Sequence, residues 1–182
     1  DIHQTVRELG MEHCFVGGHP MAGSEKTGYE NATDHLLENA YYIITPTPHS
    51  RQEDVEKMIA IAQLIGSLPI VLDYEKHDRI VAAISHLPHI IASSLVNLVR
   101  DCDDEEELMK RLAAGGFKDI TRIASSSPEM WEQICMTNTG PIREMLTAYI
   151  TSLQQILKSL HQQDSPAIYE LFDQSRTYRN SI

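Results

Sequence analysis

A chain of 182 residues can hold one domain with a core, or one small domain with part of another, and its 42% hydrophobic and 23% charged residues are the balance of a globular protein. No uninterrupted apolar run reaches the roughly 18 to 20 residues of a bilayer span, and Asp1-Ile2-His3-Gln4 has neither the basic start nor the apolar stretch of a secretory signal, so no membrane partner is expected. With 15 Lys+Arg against 26 Asp+Glu the formal net charge is -11, which argues against a nucleic-acid partner and makes any local cluster of cations informative.

In chain order, residues 2 to 9 suit a helix, and Cys14-Phe15-Val16 suits a short strand entering Gly17-Gly18. Residues 24 to 39 are polar and read as a loop with room for one helical turn. Ala40-Tyr41-Tyr42-Ile43-Ile44-Thr45 is β-branched and aromatic, a strand stopped by Pro46 and Pro48. Ser50-Arg51-Gln52-Glu53 reads as a capping box, followed by Val55, Met58, Ile59, Ala62 and Ile65 at helical spacing. Pro69-Ile70-Val71-Leu72 reads as a further strand. This alternation is the tail of an α/β sheet, without its first strand and glycine-rich turn.

The character changes after Asp73. Residues 75 to 101 form a helical stretch with a kink expected at Pro88. Residues 104 to 113 carry acidic residues first and basic ones last, as a helix dipole prefers. Gly115-Gly116 reads as a turn, 117 to 125 as helix, and Ser127-Pro128 as a helix start. Ile142, Met145, Leu146, Tyr149, Ile150, Leu153, Ile156, Leu157 and Leu160 form one apolar stripe over 141 to 161. It suits packing within a subunit or an interface between subunits. A short helix, about 165 to 176, follows. The expected fold class is mainly α: a partial α/β portion over 1–74, then an all-helical domain over 75–182. Cys14, Cys102 and Cys135 are odd in number and lack a CxxC pair, so a disulfide framework or zinc site is not expected, and a reducing cytoplasm is.

Three clusters could carry chemistry. The first is Gly17-Gly18-His19-Pro20-Met21-Ala22-Gly23-Ser24-Glu25-Lys26. A histidine after a strand sits where open α/β sheets place ligands, and glycines let a ligand approach the backbone. His19 is either a proton acceptor near neutral pH or a solvated loop residue. The second is Ser85-His86-Leu87-Pro88-His89, whose histidines share a face if the helix survives the proline. They are core or interface residues, or contacts to an anion or polar substrate. No third ligand of fitting pattern makes them a metal site. The third is Gly115-Gly116-Phe117-Lys118-Asp119-Ile120-Thr121-Arg122, where two glycines lead into a helix start whose N–H groups favour anions. Lys118 and Arg122 share a face, as a carboxylate grip or as solvated surface charges. Together the clusters suggest a small polyanionic substrate and one proton acceptor.

The combination is more specific than its parts. His-Pro-Met-Ala-Gly-Ser-Glu at 19 to 25, Ser-His-Leu-Pro-His at 85 to 89, Gly-Gly-Phe-Lys-Asp-Ile-Thr-Arg-Ile-Ala at 115 to 124, and Ser-x-x-Pro-x-Met-Trp ending at Trp131 resemble the prephenate dehydrogenases in order and spacing. The resemblance implies an NAD- or NADP-binding Rossmann domain followed by a helical domain that forms a homodimer. It implies oxidative decarboxylation of prephenate to 4-hydroxyphenylpyruvate, on the way to tyrosine. It assigns the hydroxyl proton to His19 and the two carboxylates of this small dicarboxylate to Arg122, Lys118 and His89, near Gly115. Ser24 and Glu25 would lie beside His19, and Trp131 would reach the neighbouring subunit's site.

The family's GxGxxG turn is absent from this sequence, as is a serine expected before the His19 strand to orient that imidazole. Cofactor-binding residues therefore stay unassigned, and the sequence reads as a C-terminal catalytic portion of a longer protein; the regulatory ACT domain that some relatives carry is not within it, and whether one follows stays open. Two alternatives stand beside this reading: an arogenate dehydrogenase, or, for these residues alone, an inactive helical dimerisation module.

Overall fold

The computed structural model describes residues 2–23 and 28–182. Helix α1 (Ile2–Glu8) precedes strand β1 (Val16–Pro20), which therefore contains the glycine pair and His19 rather than ending before them. Strand β2 (Tyr41–Pro46) runs antiparallel to β1, with Gly17 opposite Thr45 and His19 opposite Ile43. Helix α2 (Gln52–Leu64) then crosses to β3 (Leu68–Val71), which pairs parallel with β2, giving the order β1-β2-β3. Central β2 carries the sheet's core: Ile44 is 0% exposed, and Ile43, Val55 and Ala62 are buried with it.

The expected capping box does not form. The N-cap of α2 is Arg51, whose side chain makes no cap bond. Ser50 Oγ instead donates to the Phe15 carbonyl (2.6 Å) and accepts from Thr47 N–H (2.8 Å). Those bonds tie the end of β2 to the chain entering β1, and they outbid a local helix cap. At the other end Gly66, at φ +80, lets Ser67 N–H reach back to the Ala62 carbonyl, a left-handed helix stop.

Asp73 starts the helical region, its carboxylate accepting from the N–H groups of Glu75 and Lys76. Helix α3 (Tyr74–Val81) passes through a π-helical turn over Ala82–His86 into α4 (Leu87–Cys102). The expected break at Pro88 becomes this turn: the wider coil, with Leu87 N–H reaching the Ala82 carbonyl, accommodates a ring that would clash in a regular helix. The continuous span Tyr74–Cys102 has 29 residues and is long and apolar enough by composition to cross a membrane. It nevertheless carries His77, Asp78, His86 and His89, and α4 packs against the helices that follow.

Helix α5 (Leu108–Leu112) is shorter than the charge pattern over 104 to 113 implies. The Asp103 carboxylate accepts from Met109 and Lys110 N–H, and Glu107 adopts a left-handed conformation, so the acidic run is a loop. Gly115 and Gly116 are not a turn but the first residues of α6 (Gly115–Thr121), which tightens into a 3-10 turn over Arg122–Ser125. Helix α7 (Pro128–Thr137) starts as the sequence indicates, with Ser127 Oγ accepting from Met130 N–H and Pro128 at the first turn.

The chain divides into two compact units, residues 1–142 and 143–182. The second comprises most of α8 (Thr139–His161) and α9 (Ser165–Arg179), the latter capped by the Asp164 carboxylate on Ala167 N–H. Along α8 the stripe residues Ile150, Leu153, Leu157 and Leu160 are exposed in the single chain.

Candidate functional site

Helix α3 begins beside the sheet, and it brings His77 against His19. The two imidazoles meet at 2.8 Å, His19 Nδ1 to His77 Nε2, and His77 Nδ1 lies 2.8 Å from the Asp78 carboxylate. The carboxylate can only accept, so His77 carries its proton on Nδ1 and offers a bare Nε2. That nitrogen in turn accepts from His19 Nδ1–H, which leaves the His19 Nε2 lone pair for a ligand. The chain Asp78–His77–His19 thus fixes the tautomer of an imidazole whose outer nitrogen can accept a proton, in the way a carboxylate orients the histidine of a hydrolytic triad.

The electrostatics agree. Burial and the adjoining His77 push the His19 pKa below its ordinary value, with Asp78 partly opposing. A neutral ring near pH 7 is the form that accepts a proton. For Asp78, burial acts to raise the carboxyl, but the hydrogen bond and charge of His77 more than offset it and the net shift is downward.

His19 lines a cavity of about 580 Å³ within the first unit, shared with His3, Tyr74, His77, Asp78 and His86. The glycines beside it serve packing, not ligand approach. A Cβ on Gly17 would stand 2.3 Å from Thr45 Oγ1, and one on Gly18 2.9 Å from the Tyr42 ring. They let β2 press its side chains over β1. His3 fills the wall, stacked on Tyr74 at 4.5 Å and bonded to Thr45 Oγ1 at 3.0 Å.

The second cluster stays on one face, because the π turn keeps the helix continuous. His89 stacks on Trp131 at 3.8 Å between ring centroids, and His86 meets the same indole edge-on at 6.0 Å. His89 Nδ1 donates to the Ser85 carbonyl at 3.0 Å. The indole Nε1–H is buried and makes no hydrogen bond among the described residues. His89 and Trp131 line another cavity, of about 390 Å³, with Glu132 and Cys135.

The third cluster is carried on α6 and the turn after it, both packed on α4. Lys118 and Arg122 are exposed there. None of Gly115, Lys118, Arg122, His89 and Trp131 lines the His19 cavity; His86 lines it and touches Trp131. Ser24 and Glu25 lie outside the described residues.

Sequence reasoning missed His77, Asp78 and Asn138. Glu75-Lys76-His77-Asp78 looks like a solvated helix face, and only the His-Asp pair just after a strand end hinted otherwise. Asn138, between α7 and α8, donates from its amide to the Asp78 carbonyl (2.9 Å) and to His86 Nδ1 (3.1 Å).

No cradle for a dinucleotide pyrophosphate is found among the described residues. The N-terminus of α3 already holds the Asp73 carboxylate, and α2 starts with Glu53 and Asp54 and no preceding glycine.

Comparison with known proteins gives the family. The profile described as prephenate dehydrogenase, dimerization domain, matches residues 73–174, and that of the prephenate dehydrogenase nucleotide-binding domain matches residues 1–71. Prephenate dehydrogenase of Bacillus subtilis (strain 168) is 39% identical over 174 residues, covering 96% of this chain and 47% of that protein. The crystal structure of prephenate dehydrogenase from A. aeolicus, in complex with hydroxyphenyl propionate and NAD+, superposes with a TM-score of 0.88 at 30% identity, over 94% of this chain and 60% of that one. Synechocystis arogenate dehydrogenase gives a TM-score of 0.82 at 28% identity, over 92% and 61%. The chain spans about half the length of the curated relatives it matches. On the match over residues 73–174, the chain belongs to the prephenate dehydrogenase family.

Proposed function

We propose that these residues supply the proton acceptor and substrate grips of a cytoplasmic, NAD- or NADP-dependent prephenate dehydrogenase, which converts prephenate to 4-hydroxyphenylpyruvate and CO₂. The observation that carries this is the Asp78–His77–His19 chain, with His19 Nε2 unpaired among the described residues and the ring at a cavity. The ring hydroxyl of prephenate gives its proton to His19 Nε2 as hydride leaves the same carbon. The resulting imidazolium is stabilised through His77 by the Asp78 charge. Loss of the ring carboxylate as CO₂ then restores aromaticity. The cofactor is the hydride acceptor of the overall reaction. Lys118, Arg122 and His89, near Gly115, hold the substrate carboxylates, while Ser24, Glu25 and Trp131 complete the site.

On this reading residues 1–74 end a nucleotide-binding domain, and residues 75–182 form the substrate-binding and dimerisation domain. The protein is a homodimer held through its helices. The exposed stripe on α8 and the weakly covered span Tyr74–Cys102 supply apolar surface for it. Neither nucleic acid nor membrane is a partner. Similarity to the Synechocystis arogenate enzyme supports a second reading, the same chemistry on an amino-bearing substrate. Comparing kcat/KM for the two substrates separates them.

The test of the main reading is His19→Asn in the full-length protein. It should lower kcat by about 10²–10⁴-fold, the usual worth of a positioned base, and abolish the acid limb of the pH profile. A kcat within about twofold of wild type, with only KM changed, would make His19 a binding residue and sink the assignment.

A further inference from the structure

We infer that Asn138 is a positioning residue: it fixes the tautomer of His86 so that His86 offers an N–H donor to a substrate oxygen in the cavity of His19. Asn138 is 8% exposed, and its side chain reaches two residues distant in sequence. Its amide nitrogen lies 2.9 Å from the Asp78 carbonyl oxygen and 3.1 Å from His86 Nδ1. A carbonyl oxygen only accepts, so the group facing Asp78 must be the NH₂, which settles the orientation of the amide. That NH₂ has two hydrogens. One goes to the Asp78 carbonyl and the other faces His86 Nδ1. A ring nitrogen met by a donor has to accept, so Nδ1 is bare and the proton of the neutral ring sits on Nε2.

The neutral form is the one the surroundings favour. Burial depresses the His86 pKa, His19 depresses it further, Asp78 opposes, and His77 and His89 add to the depression. With Nδ1 engaged by Asn138, Nε2–H is the polar atom His86 has left for the cavity it lines with His19. The two imidazoles then have opposite polarity. His19, whose Nδ1–H is given to His77, offers a lone pair; His86 offers a hydrogen. A ligand with one acidic hydroxyl and a separate anionic or carbonyl oxygen is sorted by the pair: the hydroxyl to His19, the accepting oxygen to His86. Asp78 precedes the π turn over Ala82–His86 and His86 ends it, so Asn138 also laces the two ends of the segment that aims His86.

The donor role rests on the dehydrogenase reading; the tautomer does not, and the experiment keeps them apart. Full-length protein labelled with ¹⁵N-histidine is examined by NMR without substrate. Wild type should show His86 protonated at Nε2. Asn138→Asp, nearly isosteric but able only to accept, should move the proton to Nδ1 or hold the ring doubly protonated. A purely structural Asn138 would lower the melting temperature in that variant and leave the tautomer alone. Kinetics supply the second arm. Asn138→Asp and Asn138→Leu should raise KM for prephenate roughly 2- to 10-fold, the range of one neutral hydrogen bond, with kcat within about twofold. An Nδ1–H tautomer in wild type, or an unchanged tautomer in folded Asn138→Asp, overturns the positioning role. The expected tautomer with unchanged KM overturns the donor role. If the variants do not fold, the wild-type spectrum still decides the tautomer. A wild-type protein that does not turn over prephenate would instead count against the dehydrogenase reading alone.

Discussion

Replacing Asp78 by asparagine tests the orienting chain with almost no change in volume. The carboxylate accepts from His77 Nδ1 at 2.8 Å, and His77 Nε2 meets His19 Nδ1 at 2.8 Å. Asparagine can turn its NH₂ toward His77. Nδ1 of His77 then becomes the acceptor, its proton moves to Nε2, and His19 must accept at Nδ1. His19 would carry its own hydrogen on Nε2, the atom that should take the substrate proton. In that limit the base is lost, and kcat should fall by about 10²–10⁴-fold. If asparagine instead keeps its oxygen toward His77, only the charge is missing. Two such bonds and the width of the His77 ring place the Asp78 charge roughly 8 Å from His19 Nδ1, the near end of the imidazolium charge. At an effective dielectric of about 20 that is worth about 2 kcal/mol, or about 30-fold, to the imidazolium. The Asp78 side chain is 31% exposed, so screening makes this an upper bound. The assay is the initial rate of reduced-cofactor formation by the full-length protein across pH, with a melting curve to confirm folding. Removing a charge that raises the His19 pKa should also shift the surviving acid limb to lower pH. A folded Asp78→Asn protein with kcat within about twofold of wild type and an unmoved limb would refute the chain as an orienting device.

Other perturbations probe separate parts of the molecule. Arg122→Ala should chiefly raise KM for prephenate, by about 10- to 150-fold if it makes a charge-assisted bidentate grip, and a fall in kcat with constant KM would exclude that role. Gly17→Ala should lower the melting temperature and cost about 1–3 kcal/mol in denaturant titration, because the new Cβ lands 2.3 Å from Thr45 Oγ1. An unchanged midpoint would show that β1 and β2 separate easily. Stability should also fall on acidification. The pKa values of His3, His19 and His86 are all depressed, each by burial first, so their contribution is complete above the unfolded value near about 6.5 and is lost as pH falls through the folded values. A urea midpoint that rises between about pH 7.5 and about pH 5 would contradict this.

What the sequence revealed, and what it concealed, follows from the range of the interactions. Elements set by local chemistry were legible: the β-branched run of β2, the Ser127-Pro128 start of α7, the heptad-like stripe of α8. Elements set by contacts distant in the chain were not. Ser50 has the right neighbours for a capping box, but Phe15, 35 positions away, takes its hydroxyl. Gly17 and Gly18 look like a ligand-approach motif, yet the crowding atoms belong to Thr45 and Tyr42 on the next strand. His19 could be singled out from its own sequence surroundings. The bond that sets its tautomer comes from a partner 58 positions on, whose own proton is fixed by the next residue.

Within the described residues the tautomer of His19 is set from helix α3. Asp73, by capping α3, fixes where that helix begins, and so which residues its first turns present to β1. Four positions later His77 N–H bonds the Asp73 carbonyl, and its ring meets His19. Helix cap, relay and the His19 ring are therefore joined in one run of contacts. A change at Asp73 that let α3 start one residue late would rotate His77 by roughly 100° about the helix axis and take it away from His19. Asp73→Ala should cost about 0.5–2 kcal/mol in stability as a lost cap. It should also lower kcat more than KM, although Asp73 lies outside the lining of the His19 cavity. Loss of stability with kcat intact would show that the sheet, not the cap, sets the register of α3.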